Sequence, residues 1–423
     1  LWPFSTLGWP EKTPDLARYY PSQVMETGHD IIFFWVARMM MLGIELMGTP
    51  PFETIYLHGM VRDPEGQKMS KTKGNVVDPL SVIDEIGADA LRFALVSGTA
   101  PGADQRLSPE KLENARNFMN KLWNAARYVL GARPAEATGA RPSAADAHAA
   151  AGEFGSWMAA RLAAAVDDVD RALDQYGFSE ASQRIYDAIW AEYCDQAIEI
   201  AKVTLADETR PASERSAVWW TLVDALDDLL RLLHPIAPFI TEGIWEAMPH
   251  HTDDPRLLAT AAWPERHAAA GSAGSSIDQW LDLVREVRAA RTAAKLPAGA
   301  WIPLAVAAPD GLAASGDGLR SAIERLARVR AEQRSEAEKD AAMDELATAI
   351  AQWAIPGKKY SFDLMRLRPS SYKDEATGRT FSPGRDDGRG VFIQHYDEAP
   401  TLQEIEEVHG GMDYVLVAKG PDK

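Results

Sequence analysis

Apolar residues run almost without a break from Ile31 to Met47 (IIFFWVARMMMLGIELM), interrupted by Arg38, Gly43 and Glu45. The internal charges and the glycines predict a helix over 30–47 buried on several sides. A membrane span would need about 20 continuous apolar residues. Residues 1–26, rich in Pro and Trp, predict irregular chain. Thr54 to His58 (TIYLH) alternates and is rich in β-formers, which predicts a strand. Pro79–Ile86 and Ala88–Val96 carry helical spacing. A strand, a short polar loop and flanking helices fit the edge of an α/β nucleotide-binding sheet, where ligands sit at strand ends.

From Pro109 the apolar period becomes helical. Residues 113–130 place Phe118, Leu122 and Ala125 on one face, with Trp123 beside it. Residues 131–152, rich in Ala, Pro and Gly, predict a loop. Helices follow over 153–175, 179–205 and 212–233, then a turn at Pro235 and Pro238 and a short helix. Antiparallel helices with short connections make a bundle. AAAGSAGSS (268–276) reads as a flexible joint. A helix over 277–295, a strand in WIPLAVAA and one or two charged helices over 319–353 come next. Residues 354–423 show no pattern beyond one strand in GVFIQHY.

The length of 423 residues predicts two to four domains. A net charge of −18 excludes bulk attraction to RNA or to anionic lipid, but leaves room for a local basic face. The single cysteine, Cys194, excludes an internal disulfide and any multi-cysteine zinc site, and suits a reducing compartment. The chain opens on LWPFSTLGWP without an initiator methionine. That reads as the interior of a domain, so the chain is expected to be part of a longer one.

The candidate chemistry lies in three short motifs. Lys68-Met69-Ser70-Lys71, followed by Thr72, Lys73, Gly74 and Asn75, is a cationic loop suited to a polyphosphate. Lysine ammonium groups are mobile point charges that follow charge as it builds on a phosphate. Gly28-His29-Asp30 precedes the apolar run. Asp30 there suits either a helix cap or a carboxylate that accepts ribose hydroxyls, with Gly28 allowing close approach. Ile31 and Trp35, four residues apart, share a helical face and either floor a small apolar pocket or pack in the core. His58-Gly59-Met60 ends the strand and suits a flat base read by the backbone of Met60 and Val61; a structural histidine is the plainer alternative. As separate features each has an ordinary explanation, and the lysine cluster by itself is compatible with a solvated basic turn.

In chain order GHDIIFFW, HGMV and KMSKTKGN, with LWPFSTLGWPE before and NFMNKLWNAARYVL after, the sequence resembles the valyl-tRNA synthetase family of the class I aminoacyl-tRNA synthetases. The resemblance is close from Leu1 to about Val129. It continues more loosely through GFSEASQRIYDAIWAEYCDQAIEIAK and LLRLLHPIAPFITEGIWE to about residue 310, with a weaker extension to about 330. It implies a partial Rossmann-type α/β catalytic core with the lysine loop (1–112), an all-α anticodon-binding helix bundle (113–267), a C-terminal junction and helical region (277–353) and an unassigned α/β or helical extension (354–423). It implies that Gly28 and Asp30 hold the ATP ribose, that His58, Gly59 and Met60 border adenine, and that Lys68 and Lys71 stabilise the departing pyrophosphate with Ser70 supporting the loop. Ile31 and Trp35 would bound the valine pocket. ATP with Mg²⁺ on its phosphates, valine and tRNA(Val) are the implied ligands, and the implied protein is a cytoplasmic monomer with no resident metal.

Isoleucyl-tRNA synthetase shares the loop and the helical domain, but carries a more polar segment where this chain has GHDIIFFW. A small apolar pocket rejects isoleucine by size and threonine poorly, a limit for which valyl enzymes are a known case; the family adds a hydrolytic editing domain. The family's His-x-Gly-His motif and that editing domain are absent from these residues, so the chain by itself is expected not to form valyl-adenylate. The other alternative is a non-catalytic tRNA-binding relative, which has no use for a pyrophosphate clamp. Arg184, Lys202 and Arg231 on the predicted helices read as solvated charges rather than base readers, and His395 and His409 as surface histidines.

Overall fold

The structure is a computed structural model. It describes residues 1–70, 72–265, 276–293, 301–306, 324–333, 361–367, 372–373, 380–381, 391–396 and 414–419. The chain forms two compact units, Leu1–Ile198 with Asp207–Ser272, and Glu199–Ala206 with Ala273–Lys423.

The first unit begins with two short helices, α1 (Trp2–Ser5) and α2 (Pro14–Tyr19), the second capped by the Thr13 side chain. Strand β1 (Ser22–Gly28) follows, then a 3₁₀ turn (His29–Ile31), a π-turn (Ile32–Val36), α3 (Ala37–Met47) and β2 (Phe52–His58). β1 and β2 pair in parallel from Ser22↔Phe52 to Gly28↔His58. This corrects the irregular chain expected for 1–26. SQVMETG lacks a clean apolar alternation, so β1 is defined by its partner rather than by its own pattern.

The expected buried helix over 30–47 is also corrected. Its first turns are 3₁₀ and π, the N-cap of α3 is Val36, and no side chain caps it; Asp30 is not a cap. Phe33 is 75 % and Met41 71 % exposed, so much of the apolar run faces outward in this chain. The helix ends at Gly48 in the left-handed region (φ +75°), which a glycine adopts without a Cβ penalty.

Strand β3 (Val61–Arg62) leads into the lysine loop. Helices α4 (Pro79–Ile86) and α5 (Ala88–Val96) occupy the expected residues. Asp78 caps α4 with Pro79 at its first turn, a start signal legible in the sequence. Strand β4 (Gln105–Arg106) returns to pair in parallel with β3. Helix α6 (Pro109–Gly131), capped by Ser108, starts at the expected Pro109 and buries Ala126 rather than Ala125 beside Phe118 and Leu122.

The bundle continues through α7 (Ala144–Ala150), α8 (Gly152–Asp174), α9 (Phe178–Asp187), a π-helical stretch (Ala188–Ala197), α11 (Ala212–Leu233) and α12 (Pro238–Trp245), while all but the first residue of α10 (Ile198–Ala206) belongs to the second unit. Helix α7 corrects the loop expected over 131–152; Ser143 supplies its cap. The core holds Trp157, Tyr193, Trp219 and Trp245. Two buried polar tips find backbone partners: Tyr193 Oη donates to the Leu222 carbonyl at 2.9 Å and Trp219 Nε1 to the Val129 carbonyl at 2.7 Å. Asp89 on α5 accepts the Phe239 and Ile240 N–H groups at 3.3 and 2.6 Å, and Arg92 donates to the carbonyls of Pro235 and Ile236. These bonds fasten the first turn of α12 to the α/β portion.

Among the described residues of the second unit are α13 (Ser276–Ala293) and β5 (Ile302–Val306), both near the expected positions. β6 (Val329–Gln333) pairs in parallel with β5, which corrects the expectation of helix throughout 319–353. Residues 324–327, just before β6, are helical, whereas 319–323, 334–353, the joint at 268–275 and His409 lie outside the described residues. Strands β7 (Ser361–Leu367), β8 (Tyr372–Lys373), β9 (Thr380–Phe381), β10 (Val391–Tyr396) and β11 (Tyr414–Lys419) come after. A three-stranded antiparallel sheet has the order β10-β7-β11, so more than the one expected strand is formed there. No helix of the described residues is long and apolar enough to cross a membrane.

Candidate functional site

The parallel register Gly28↔His58 makes β1 and β2 stop at the same level, and the 3₁₀ turn places Asp30 beside that edge. Gly28 has no side chain to fill the space there. A Cβ would lie 2.9 Å from Asp30 Oδ1 and 3.6 Å from the His58 ring. Asp30 Oδ2 lies 3.9 Å from Lys68 Nζ, with both side chains exposed. Residues from all three sequence motifs therefore meet at one strand end.

His58 points its Nε2 at Glu26 Oε1, 3.3 Å away, and its Nδ1 lies 2.9 Å from the Gly59 carbonyl. Gly59 is required by a close approach: a Cβ there would lie 1.7 Å from the Ala103 carbonyl oxygen. That approach delivers Asp104, which no motif in the sequence had marked. Asp104 Oδ1 accepts the Met60 N–H at 2.7 Å and Oδ2 accepts Arg62 Nε at 2.6 Å. The Met60 N–H, followed by the Arg62 guanidinium, holds the Asp104 carboxyl below its ordinary range. The Met60 carbonyl accepts the Gln105 N–H at 3.0 Å. Of the backbone of Met60 and Val61 expected to read a base, both Met60 groups are thus engaged within this chain by Asp104 and Gln105.

The lysine loop springs from a tight turn. Gly66 (φ +82°) donates its N–H to the Asp63 carbonyl at 2.9 Å, and Arg62 and Lys68 bridge in antiparallel fashion. Asp63, 5 % exposed, organises the loop from its base. Its Oδ1 accepts the Gln67 N–H at 2.6 Å and its Oδ2 accepts Asn75 Nδ2 at 2.7 Å. Asn75 Oδ1 in turn accepts the Ser70 N–H at 2.9 Å, while its Nδ2 also reaches the Lys68 carbonyl at 3.3 Å. Ser70 Oγ lies 2.6 Å from Thr72 Oγ1, and the N–H groups of Lys73 and Gly74 both reach the Ser70 carbonyl. Ser70 thus has a structural place in the loop. The Asn75 hydrogen bond, above all, holds the Asp63 carboxyl below the ordinary carboxylate range. Lys71 lies outside the described residues.

Ile31 sits in the 3₁₀ turn and Trp35 in the π-turn, so the shared face is not that of an α-helix. Each is 45 % exposed; within this chain they form an open apolar face, not a closed pocket. The three basic residues expected to be solvated are paired. Arg184 meets Asp168 and Glu192 at 3.3 and 3.2 Å, Arg231 meets Asp227 at 3.0 Å, and Lys202 pairs with Glu199. Cys194 is buried, and burial pushes its thiol up to about 12, so it is no nucleophile at neutral pH. Among the described residues no group of three His, Cys, Asp or Glu side chains is placed to hold a metal.

Residues 1–108 match the family model described as tRNA synthetases class I (I, L, M and V), and residues 155–306 match that described as anticodon-binding domain of tRNA ligase. The chain is 40 % identical over 342 residues to a valine–tRNA ligase of Solibacter usitatus, covering 80 % of this chain and 37 % of that protein. It is 44 % identical over 338 residues to one of Dehalococcoides mccartyi strain CBDB1 (78 % and 37 %), and 51 % identical over 248 residues to one from that species' strain 195 (58 % and 27 %). The chain thus spans between about a quarter and little more than a third of the length of these relatives.

Proposed function

We propose that this chain, which belongs to the class I aminoacyl-tRNA synthetases, is the part of a valine–tRNA ligase that clamps the phosphates of ATP and binds tRNA(Val). The reading rests on one observation: Gly28 with Asp30, His58 and Lys68, from three separated motifs, meet at the shared end of β1 and β2. The space that a Cβ at Gly28 would fill, flanked by a carboxylate and an imidazole, suits a ribose and the start of a base.

Asp30 accepts ribose hydroxyls over Gly28, and the stretch His58, Gly59 and Met60 borders adenine. In the whole enzyme, of which this chain supplies only part of the catalytic site, the valine carboxylate attacks the α-phosphate, and pyrophosphate leaves with the bonding electrons. Lys68 and Lys71 follow the charge that develops on it, Ser70 and Asn75 hold the loop in shape, and Mg²⁺ enters on the triphosphate. A terminal ribose hydroxyl of tRNA then attacks the acyl carbon and AMP departs. Catalysis is orientation and charge stabilisation, with no covalent enzyme intermediate. The exposed Asp30–Lys68 pair is too weak to hold the lysine away from a phosphate. Ile31 and Trp35 form one apolar wall of the valine site. Residues 1–112 serve as the catalytic portion, 113–267 as the anticodon-binding portion and 277–353 as the junction, in the cytoplasm.

Equilibrium binding of ATP and of valine- and isoleucine-accepting tRNAs tests the reading. Lys68→Gln weakens ATP by roughly tenfold or more, the loss of one charge-assisted hydrogen bond, and leaves tRNA affinity unchanged. Binding of tRNA without any ATP binding would instead favour a non-catalytic relative, and preference for the isoleucine acceptor an isoleucyl enzyme.

A further inference from the structure

A cavity of about 690 Å³ lies between the 97–115 stretch and α9; its Ala103 and Asp104 back onto Gly59 and Met60 of the strand-end site, while the rest of its lining lies outside that site. That volume is within the range of small-molecule sites. Its lining includes Arg106, Lys111, Asn114, Gln183 and Tyr186. Among the described residues neither Arg106 nor Lys111 has a carboxylate within ion-pair distance. The Lys111 ammonium donates instead to a neutral amide, Gln105 Oε1 at 2.7 Å. Gln105 is itself held by Thr99 and by the Leu95 carbonyl. Burial alone keeps Lys111 below the ordinary lysine value: it has lost water without gaining an anion. Of the two acidic residues in the lining, Asp104 has both oxygens engaged by Met60 and Arg62, and Glu110 is exposed.

One wall is a fixed aromatic plane. Tyr186 stacks on Trp190 with ring centroids 5.5 Å apart and an interplanar angle of 16°, and packs on Phe93 and Phe118. Its hydroxyl makes no hydrogen bond among the described residues. A half-buried lysine, an exposed Arg106 whose guanidinium lies over Gly66 at the rim, a rigid ring and two amides describe a ligand that joins an anion to a planar, hydrogen-bonding group.

We propose that this cavity is a second ligand site that takes one nucleotide unit, its phosphate on Lys111 and Arg106 and its base along Tyr186, with Asn114 and Gln183 at the base edge. The unit comes either from a free mononucleotide or from an unpaired position in an RNA strand. The inference does not depend on the role given to the lysine loop.

The test uses the 423-residue chain with uridine 5′-monophosphate and a labelled single-stranded RNA hexamer, each titrated over a salt series. Lys111→Met is expected to weaken binding about tenfold and to lower the salt slope for RNA by about 0.7, one phosphate contact. Lys111→Arg restores both, and Lys68→Gln changes neither. Loss of mononucleotide binding in Lys111→Met identifies the free nucleotide as the source; loss confined to the hexamer identifies the RNA strand. No binding of either probe by the unaltered chain, or affinities and slope unmoved by Lys111→Met in a protein with unchanged circular dichroism, overturns the proposal.

Discussion

Asn75 Nδ2 donates to Asp63 Oδ2 at 2.7 Å, and this bond closes the lysine loop from its two ends. The same two side chains reach the Gln67 and Ser70 N–H groups, so the backbone on either side of Lys68 hangs on one carboxylate–amide pair. This pair is the base from which the segment carrying Lys68 projects.

Asn75→Ala removes that closure while leaving Lys68 in place. ATP affinity is expected to fall by about tenfold, the worth of a charge-assisted hydrogen bond, as read by calorimetry. The folded Asp63 carboxyl titrates below its unfolded value, so its contribution is present above about pH 4 and is lost as pH falls through the folded value. Loop protection in hydrogen exchange should therefore fall below about pH 4 in the unaltered chain and depend less on pH in Asn75→Ala, where the Gln67 N–H still favours the Asp63 carboxylate.

Gly59→Ala pushes a Cβ to 1.7 Å from the Ala103 carbonyl oxygen, backbone that cannot swing aside. The 99–104 segment must retreat, and Asp104 with it. A loss of about 1–3 kcal/mol, typical of overpacking, is expected in urea unfolding, with weaker ATP binding. Native stability and affinity in this variant would remove the reason given for Gly59.

Asp89→Ala leaves the Phe239 and Ile240 N–H groups without an acceptor. Asp89 is 6 % exposed, so water cannot readily replace it. A cost of about 0.5–2 kcal/mol is expected, the usual worth of a side chain that takes the first-turn N–H groups of a helix. Exchange of those two amides should accelerate more than that of the α11 core.

Asp228 sits among charges on α11. Burial first, then the Asp224 and Asp227 carboxylates, push its carboxyl up to about 8 against the pull of Arg231 and Arg141. A raised carboxyl is protonated in the folded state, so stability is full below the unfolded value near about pH 4 and declines as pH rises toward 8. The melting temperature is expected to drop between about pH 5 and 9, and Asp228→Asn to flatten that slope. An unchanged slope in the variant would show that the carboxyl does not titrate there.

Much of this was legible from residue order alone. Asp78-Pro79 and Ser108-Pro109 announce the starts of α4 and α6, because a cap and a proline at the first turn act within a few residues. The helices of the bundle keep to their apolar period for the same local reason. β1 was hidden, since its Gln23 and Glu26 break the alternation and only the parallel pairing with β2 makes it a strand. β6 was hidden inside a charged stretch for the same reason.

By itself the sequence determined which chemical groups the site contains: the cationic loop at Lys68, the carboxylate after Gly28 and the imidazole at His58. It also determined the helical spans, whose energies are set by neighbours three and four residues apart. Tertiary structure alone decided that those groups share one strand end, that Asp104 claims the Met60 N–H across a separation of 44 residues, and that the helix after Asp30 keeps its aromatic residues outward. Such pairings depend on which distant segments pack together, and no local pattern encodes that distance.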